Sequence, residues 1–171
     1  MEFILAEAKH LEELCRITDE AKAQLKRMGV DQWQKGYPSR EVWEQDIRHQ
    51  ITWLAVEGEK VLGAFAFQTV PDASYAEIDG AWLTDGSYAS MHRVCVSDDS
   101  KGSGVAGQLF GHAFALARAQ GLPSMRIDTH AGNLPMRRAL EKAGFVRCGT
   151  IYLRESGCED GDPRIAFERI L

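Results

Sequence analysis

The stretch that decides the fold reads Val94-Cys95-Val96-Ser97-Asp98-Asp99-Ser100-Lys101-Gly102-Ser103-Gly104-Val105-Ala106-Gly107. An apolar strand leads into a polar, glycine-rich turn, and the turn leads into an amphipathic helix over Gly102–Gln120 that ends at Gly121. The first N–H groups of a helix lack partners within it, and the helix dipole favours negative charge there. Glycines also let a ligand approach the backbone closely. The stretch therefore predicts a pyrophosphate-binding site.

Other interpretations of this turn compete with that one. The simplest is a flexible turn that binds nothing. A Walker A loop is excluded because no Gly-Lys-Ser/Thr sequence follows the glycines. A dinucleotide-binding fingerprint fits the spacing of Gly102–Gly107, with Asp128 about 20 residues further on, where a ribose-binding acid belongs.

Three features count against the dinucleotide interpretation. Five polar residues separate the strand from the glycines. The motif lies past the middle of the chain, so too few residues follow for a six-stranded sheet. The preceding half reads as antiparallel strands rather than as βαβ units. The match to the fingerprint is therefore read as accidental.

Composition indicates an ordinary globular protein. The 171 residues are 44% apolar and 26% charged, and the net charge of −5 disfavours binding to nucleic acid or to an anionic membrane. This length suits one domain, 1–171, that needs no disulfide or metal. Four cysteines without a Cys-x-x-Cys pair predict no metal site. With no signal peptide or apolar run of membrane-spanning length, we expect a cytoplasmic protein.

The remaining helices and strands are predicted from hydrophobic periodicity and from the glycine, proline and polar residues that end each segment. The first half predicts a strand, two helices and a run of antiparallel strands at Phe3–Leu5, Lys9–Met28, Ser39–His49, Ile51–Glu57, Lys60–Thr69, Tyr75–Leu83 and Tyr88–Ser97. The aromatic loop 30–38 between the two helices either plugs a core edge or covers a substrate. After the glycine turn and its helix we expect a strand, a helix and two strands at Ser124–Thr129, Leu134–Ala143, Phe145–Leu153 and Pro163–Ile170.

Two motifs resemble signatures of the GNAT superfamily of N-acetyltransferases. In the first, which follows a strand and reads Gln/Arg-x-x-Gly-x-Gly/Ala, Lys101 takes the Gln/Arg place, Gly104 the glycine and Ala106 the last small residue. The second is similar over 128–145, where Asn133 precedes a helix that ends in Leu-Glu-Lys-Ala-Gly-Phe. Both occur in the family's order and spacing and span about 94–145. Lys101 departs from the pattern. Its ammonium keeps a positive charge beside the pyrophosphate but lacks the planar, forked donor group of arginine or glutamine.

The resemblance implies a fold and a co-substrate. The fold would be mixed α/β, of the α+β class, with a mostly antiparallel twisted sheet of six to seven strands flanked by about four helices. One splayed parallel strand pair would hold acetyl-CoA, and no metal is implied. The family pattern places the cofactor-binding role on ten residues: Val94, Cys95 and Val96 for the pantetheine arm; Lys101, Gly102, Ser103, Gly104, Val105 and Ala106 for the pyrophosphate; and Asn133 near the thiol.

The implied reaction is direct attack of a neutral amine on the thioester, which requires a base because amines are mostly protonated near pH 7. Glu77 is the first candidate because family members often carry a base on this strand, and His92 is the second. Asp79 and Asp85 are further acids nearby. The tyrosine that often protonates the departing thiolate is replaced by Leu140; Tyr152 and Cys95 are weak substitutes.

The leading hypothesis is therefore an N-acetyltransferase that acts on a primary amine of a small molecule or peptide. The alternative is a non-catalytic acyl-CoA-binding or regulatory module on the same fold, which Leu140 favours. A nicotinamide-binding domain is a third hypothesis. We expect no nucleic-acid or membrane partner. Family members often form homodimers, although no feature of this sequence indicates an interface.

Overall fold

The computed structural model describes residues Met1–Leu171. Its strands are β1 (Glu2–Leu5), β2 (Thr52–Glu57), β3 (Lys60–Gln68), β4 (Asp79–Gly80), β5 (Ala89–Val96), β6 (Ser124–Thr129), β7 (Val146–Tyr152) and β8 (Pro163–Ile170). Its α-helices are α1 (Leu11–Arg27), α2 (Arg40–Arg48), α3 (Val105–Ala119) and α4 (Leu134–Lys142). The expected mixed α+β fold is confirmed.

The strands form one eight-stranded sheet in the order β1-β2-β3-β5-β6-β8-β7-β4. Every neighbouring pair is antiparallel except β5 and β6, which run parallel. The family resemblance implied six to seven strands, which is one or two fewer than the eight observed. The expectation of a mostly antiparallel sheet with one parallel pair is confirmed.

Helices cover both faces of the sheet. One buried cluster joins the sheet to α3 and α4, and Leu109, Phe110 and Ala113 of α3 are fully buried in it. A second cluster lies under α1 and α2, where Leu14, Ile17 and Trp43 are fully buried. Each such large side chain contributes on the order of 2 kcal/mol of burial free energy. The two clusters hold the sheet rigid at its centre, where β5 and β6 meet.

The parallel pair separates soon after it begins. Pairing joins Ala89 to Met125 and Ser90 to Arg126, and the two strands continue without further pairing. A bulge in β5 accompanies the separation, because Ala64 of β3 lies opposite Cys95 whereas Ala66 lies opposite His92. One extra residue therefore stands on β5, and an extra residue bends a strand and increases its twist.

The strand predicted over Tyr75–Leu83 was wrong. This segment holds a 3₁₀ turn at Ala73–Tyr75 and only two strand residues, Asp79–Gly80, paired to β7. Its aromatic side chains wrap a third buried cluster: the rings of Tyr75 and Trp82 lie 5.2 Å apart, and Trp82 and Tyr88 each contact the Arg126 guanidinium, at 4.2 and 4.1 Å. Tertiary packing, rather than strand pairing, uses these aromatic residues.

Candidate functional site

The separated strands open onto a cleft of about 670 Å³. Its walls come from both splayed strands, the start of α4 and the connections α1–α2, β3–β4 and β7–β8. One end of the cleft reaches the glycine turn through Lys101, Gly102 and Ala106. The other end lies among polar side chains of the connecting loops. The cleft therefore has two chemically distinct ends.

The glycine turn presents unpaired backbone donors. Gly102 and Gly104 have φ angles of 79° and 85°, in the left-handed region that favours glycine. A Cβ built at either residue meets no atom within 4 Å, so nothing in the chain covers this backbone. Five N–H groups donate no hydrogen bond within the chain, namely those of Gly102, Gly104, Val105, Ala106 and Gly107. These groups at the start of α3 fit a pyrophosphate.

Lys101 and Ser103 are held by local contacts in the same turn. The Lys101 ammonium pairs with Asp98, and the Ser103 hydroxyl donates a 2.5 Å hydrogen bond to the Ser100 carbonyl oxygen. α3 begins at Val105 rather than at Gly102, because the two left-handed glycines precede the first helical residue. The turn is thus shaped by its own chain before any ligand binds.

An ion pair fixes the bulge of β5. Arg93 has a φ of 54°, which is unfavourable for a residue with a side chain. Its Nε donates a 2.6 Å hydrogen bond to Asp46 of α2, and its Nη1 donates one of 2.7 Å to the Tyr37 hydroxyl. Both charged side chains are 9% exposed. No sequence motif indicated Arg93 or Asp46, which lie 47 residues apart.

The β5 residues that the family pattern selected lie along the cleft. Val94, Cys95 and Val96 all line it beyond the bulge, where β5 has lost its pairing with β6. Burial raises the pKa of the Cys95 thiol to about 12, so this thiol stays protonated near neutral pH. Their backbone, rather than the cysteine side chain, is what this segment offers a ligand.

Asn133 joins two walls of the cleft. Its Oδ1 accepts a 3.3 Å hydrogen bond from the Met136 N–H and thereby caps α4. Its Nδ2 donates a 3.1 Å hydrogen bond to the side chain of Gln32 in the α1–α2 connection. The side chain therefore caps the helix and also lies in the cleft lining, where the family pattern places a contact with the cofactor.

The two base candidates from the sequence lie in different surroundings. His92 lines the cleft, with its Nε2 3.3 Å from a carboxylate oxygen of Asp72 and 3.1 Å from the Ser90 hydroxyl. Burial, helped by the charge of Arg93, lowers the pKa of His92 to about 4, so it is neutral near pH 7. Glu77 lies outside the cleft lining and pairs at 2.7 Å with Arg154 at the surface.

None of the positions considered for a proton donor to the thiolate combines an acidic group with a place in the cleft lining. Leu140 is fully buried in the core under α3 and α4. Tyr152 is 54% exposed and is not part of the cleft lining. The buried Cys95 thiol lines the cleft, but its raised pKa makes it a weak acid.

The aromatic loop between α1 and α2 closes one side of the cleft. The Trp33 N–H donates a 2.7 Å hydrogen bond to Glu159, which forms a buried 3.2 Å ion pair with Arg164. Lys35 and Asp162 form a second link of 3.0 Å between the same loops. Trp33 is 8% exposed and also lines the cleft, so the loop both plugs a core edge and walls the site.

Comparison with known proteins now decides the family. The sequence profile of the acetyltransferase (GNAT) family matches residues 13–145. The chain belongs to this family. No curated protein matches the sequence.

Solved GNAT structures resemble the chain along its length. An acetyltransferase of this family from Streptococcus agalactiae 2603 is 30% identical, with 99% of this chain and 95% of that chain covered and a TM-score of 0.88. The PaiA N-acetyltransferase of Thermoplasma acidophilum in complex with coenzyme A is 13% identical, with 99% and 98% covered and a TM-score of 0.73. A ribosomal-protein-alanine N-acetyltransferase of Brucella melitensis is 16% identical over both whole chains, at 100% each, with a TM-score of 0.70. The last two likenesses show the fold alone.

None of the helices combines the length and the apolar character that crossing a membrane demands.

Proposed function

We infer that this GNAT protein transfers the acetyl group of acetyl-CoA to a primary amine of a small molecule or peptide. The observation that carries the proposal is the continuity of one cleft with two chemically different ends. Unpaired N–H groups at the start of α3 occupy one end, and titratable side chains occupy the other. The splayed backbone of β5 lies between them.

The first end suits a pyrophosphate-bearing acyl donor. The helix dipole and five free N–H groups favour an anion at the turn, and the open backbone at Gly102 and Gly104 allows close approach. Beyond the bulge, Val94–Val96 offers an unpaired strand edge to an extended pantetheine arm, as in β-augmentation. Asn133 stands across the cleft at the start of α4. These residues would hold the diphosphate, the pantetheine arm and the thiol end of CoA, in that order along the cleft.

The second end suits the amine and the transfer step. A backbone N–H of Val94–Val96 would polarise the thioester carbonyl and stabilise the oxyanion formed by attack of the amine. The nucleophilic nitrogen must first lose a proton, and the cleft lining supplies carboxylates and, from β5, the neutral imidazole of His92. His92 is neutral as a base must be, although its low pKa makes it a weak proton acceptor.

Release of free CoA thiol from acetyl-CoA, measured with a thiol reagent over a panel of amines, tests the proposal. Spermidine, L-lysine, kanamycin and a peptide with a free N-terminal alanine sample the main acceptor classes. Amine-dependent thiol release is the expected result, with mass spectrometry showing the acetylated amine. Saturable CoA binding without release on any amine would instead favour the non-catalytic binding module.

A further inference from the structure

Asp128 lies at the end of β6, on the wall of the cleft that faces the splayed β5. It is two residues beyond Arg126, the last residue of β6 that pairs with β5. Alternation along β6 directs Met125 and Ile127 into the core under α3 and α4. Asp128 therefore faces the opposite side, where it lines the cleft.

A single hydrogen bond orients this carboxylate. The Tyr75 hydroxyl donates a 2.7 Å hydrogen bond to Oδ1 of Asp128. Tyr75 itself is 3% exposed, and its ring packs 5.2 Å from Trp82 and 6.0 Å from His92. The other carboxylate oxygen has no hydrogen-bond donor in the chain. A carboxylate of the cleft lining that is oriented through one oxygen and keeps the other oxygen free is suitably placed to accept a proton.

Asp128 also forms no ion pair with a basic side chain. The nearby arginines are already paired, Arg164 with Glu159 at 3.2 Å and Arg93 with Asp46 at 2.6 Å. Because an ionised carboxylate that is partly buried without a counter-charge is costly, this position favours a cationic ligand. An ammonium group supplies that charge and then the proton.

We propose that Asp128, held in place by Tyr75, is the base that deprotonates the acceptor ammonium, so the cleft selects amines that arrive protonated. This assignment rests on the proposed function. The Asp128 carboxylate takes one proton from the ammonium, and the neutral nitrogen attacks the thioester carbon. The C–N bond forms, the C–S bond breaks, and the electron pair leaves on the CoA thiolate. The second nitrogen proton ends on the thiolate, and Asp128 returns its proton to water.

The surroundings of Asp128 set its titration. Facing it from the packed elements are Tyr37, Asp72, Tyr75, Glu159 and Arg164. Burial raises the pKa of Asp128 to about 6, against the opposing effect of the Tyr75 hydrogen bond and the charge of Arg164. The carboxylate is therefore mostly ionised at pH 7, and its capacity to accept a proton is lost as the pH falls through about 6.

The test is the pH dependence of kcat/KM for the amine that wild-type protein acetylates fastest, at saturating acetyl-CoA. Wild-type activity should fall on the acid side with an apparent pKa near 6. In Asp128→Asn, kcat/KM should drop about 100-fold or more at pH 7. The residual activity of Asp128→Asn should increase with pH as the amine loses its proton, with a midpoint at the amine's own pKa. The calorimetric Kd of this variant for acetyl-CoA should stay within about twofold of the wild-type value. Asp19→Asn, an exposed α1 carboxylate outside the cleft, is the matched control.

Tyr75→Phe gives an independent readout. Loss of the hydroxyl removes a hydrogen bond that favours the ionised carboxylate and so raises the pKa of Asp128. The decline of kcat/KM on the acid side of the pH profile (the acid limb) should therefore move to higher pH, while much of the maximal rate survives. A merely structural tyrosine would lower the rate without moving the limb. This variant decides the question if Asp128→Asn fails to fold, as judged by absent acetyl-CoA binding.

The outcomes separate this assignment from the proposed function. Wild-type transfer together with an Asp128→Asn variant that keeps its rate, or keeps an acid limb near pH 6, overturns the assignment alone. An unmoved limb in Tyr75→Phe also contradicts it. Absence of transfer by wild-type protein to every amine overturns the proposed function, and the assignment with it.

Discussion

Arg93 donates a 2.6 Å hydrogen bond from Nε to Oδ2 of Asp46, and this buried pair fastens the bulge of β5 to α2. β5 turns away from β6 at this bulge. The width of the cleft therefore depends on the contact between Arg93 of β5 and Asp46 of α2. The second Arg93 bond, to the Tyr37 hydroxyl, extends the attachment to the α1–α2 loop.

Asp46→Asn should destabilise the protein by about 3 kcal/mol, since removing one partner leaves a buried charge uncompensated. Urea unfolding provides the measurement. The control is Asp99→Asn, which breaks the exposed Lys60–Asp99 pair and should cost less than about 1 kcal/mol. Equal small losses in both variants would show that the Arg93–Asp46 pair does not hold the bulge.

Gly104→Ala should weaken CoA binding about tenfold. A φ of 85° places alanine in the left-handed region at a cost of about 1–2 kcal/mol, which the turn relieves by shifting its N–H groups. Isothermal titration with CoA gives the change in Kd. Gly111→Ala in the exposed middle of α3 is the control, because a helical glycine should gain about 1 kcal/mol of stability on becoming alanine. Unchanged affinity in Gly104→Ala would remove the turn from the binding site.

His112 should make the fold less stable as the solution becomes acidic. Its ring stacks on Phe3 at 4.3 Å, and its buried Nε2 has no hydrogen-bond partner. Burial lowers the pKa of His112 below the ordinary 6.5. The unfolded chain therefore binds the proton more readily, so this residue's contribution to stability is present above pH 6.5 and declines as the pH falls below it.

His112→Phe keeps the stacking and removes the titration. Its unfolding free energy should depend less steeply on pH between about 6.5 and 5 than that of wild-type protein. Gln45→Ala, at an exposed and non-titrating position of α2, is the control and should leave the wild-type slope unchanged. A variant slope as steep as the wild-type slope would assign the pH dependence to other groups.

Glu77→Gln and His92→Gln test the base candidates that the sequence suggested. If Asp128 is the base, both variants should keep the acid limb near pH 6, and Glu77→Gln should retain more than about half of the wild-type rate because its carboxylate is 76% exposed. The pH profile of kcat/KM is the measurement. Loss of the limb in either variant would move the role of base to that residue.

Local patterns in the sequence predict much of this fold because the residues involved act through their neighbours in the chain. Ser124–Thr129 and Pro163–Ile170 form strands with the predicted bounds, and the glycine turn stands at the start of α3. The strand expected over Tyr75–Leu83 failed because Trp82 packs on Arg126 and Tyr75 packs on Trp82, and single-sequence patterns do not distinguish that packing from strand pairing.

The candidate site was predictable only where it follows a local motif. Lys101, Gly102, Ala106 and Asn133 lie in the cleft lining, and each belongs to a local motif at the start of a helix. The predicted residues Ser103, Gly104 and Val105 lie in the same turn but outside that lining. The sequence marks Asp128 only as the strand-end acid of the rejected dinucleotide interpretation. Its contact with Tyr75 joins residues 53 positions apart, which no local pattern indicates. Arg93 and Asp46 are likewise brought together by the fold, and no spacing in one sequence reveals such a pair.

Calorimetric titration of the purified protein with acetyl-CoA tests the central claim most directly, because the donor end of the cleft must bind before any transfer occurs. The account predicts saturable heat at one site per chain, with a Kd in the ordinary enzyme range of about 1 μM to 1 mM. The affinity measured in this titration should fall in Gly104→Ala and stay at the wild-type value in Gly111→Ala. Absence of saturable heat from wild-type protein with both acetyl-CoA and CoA would contradict it.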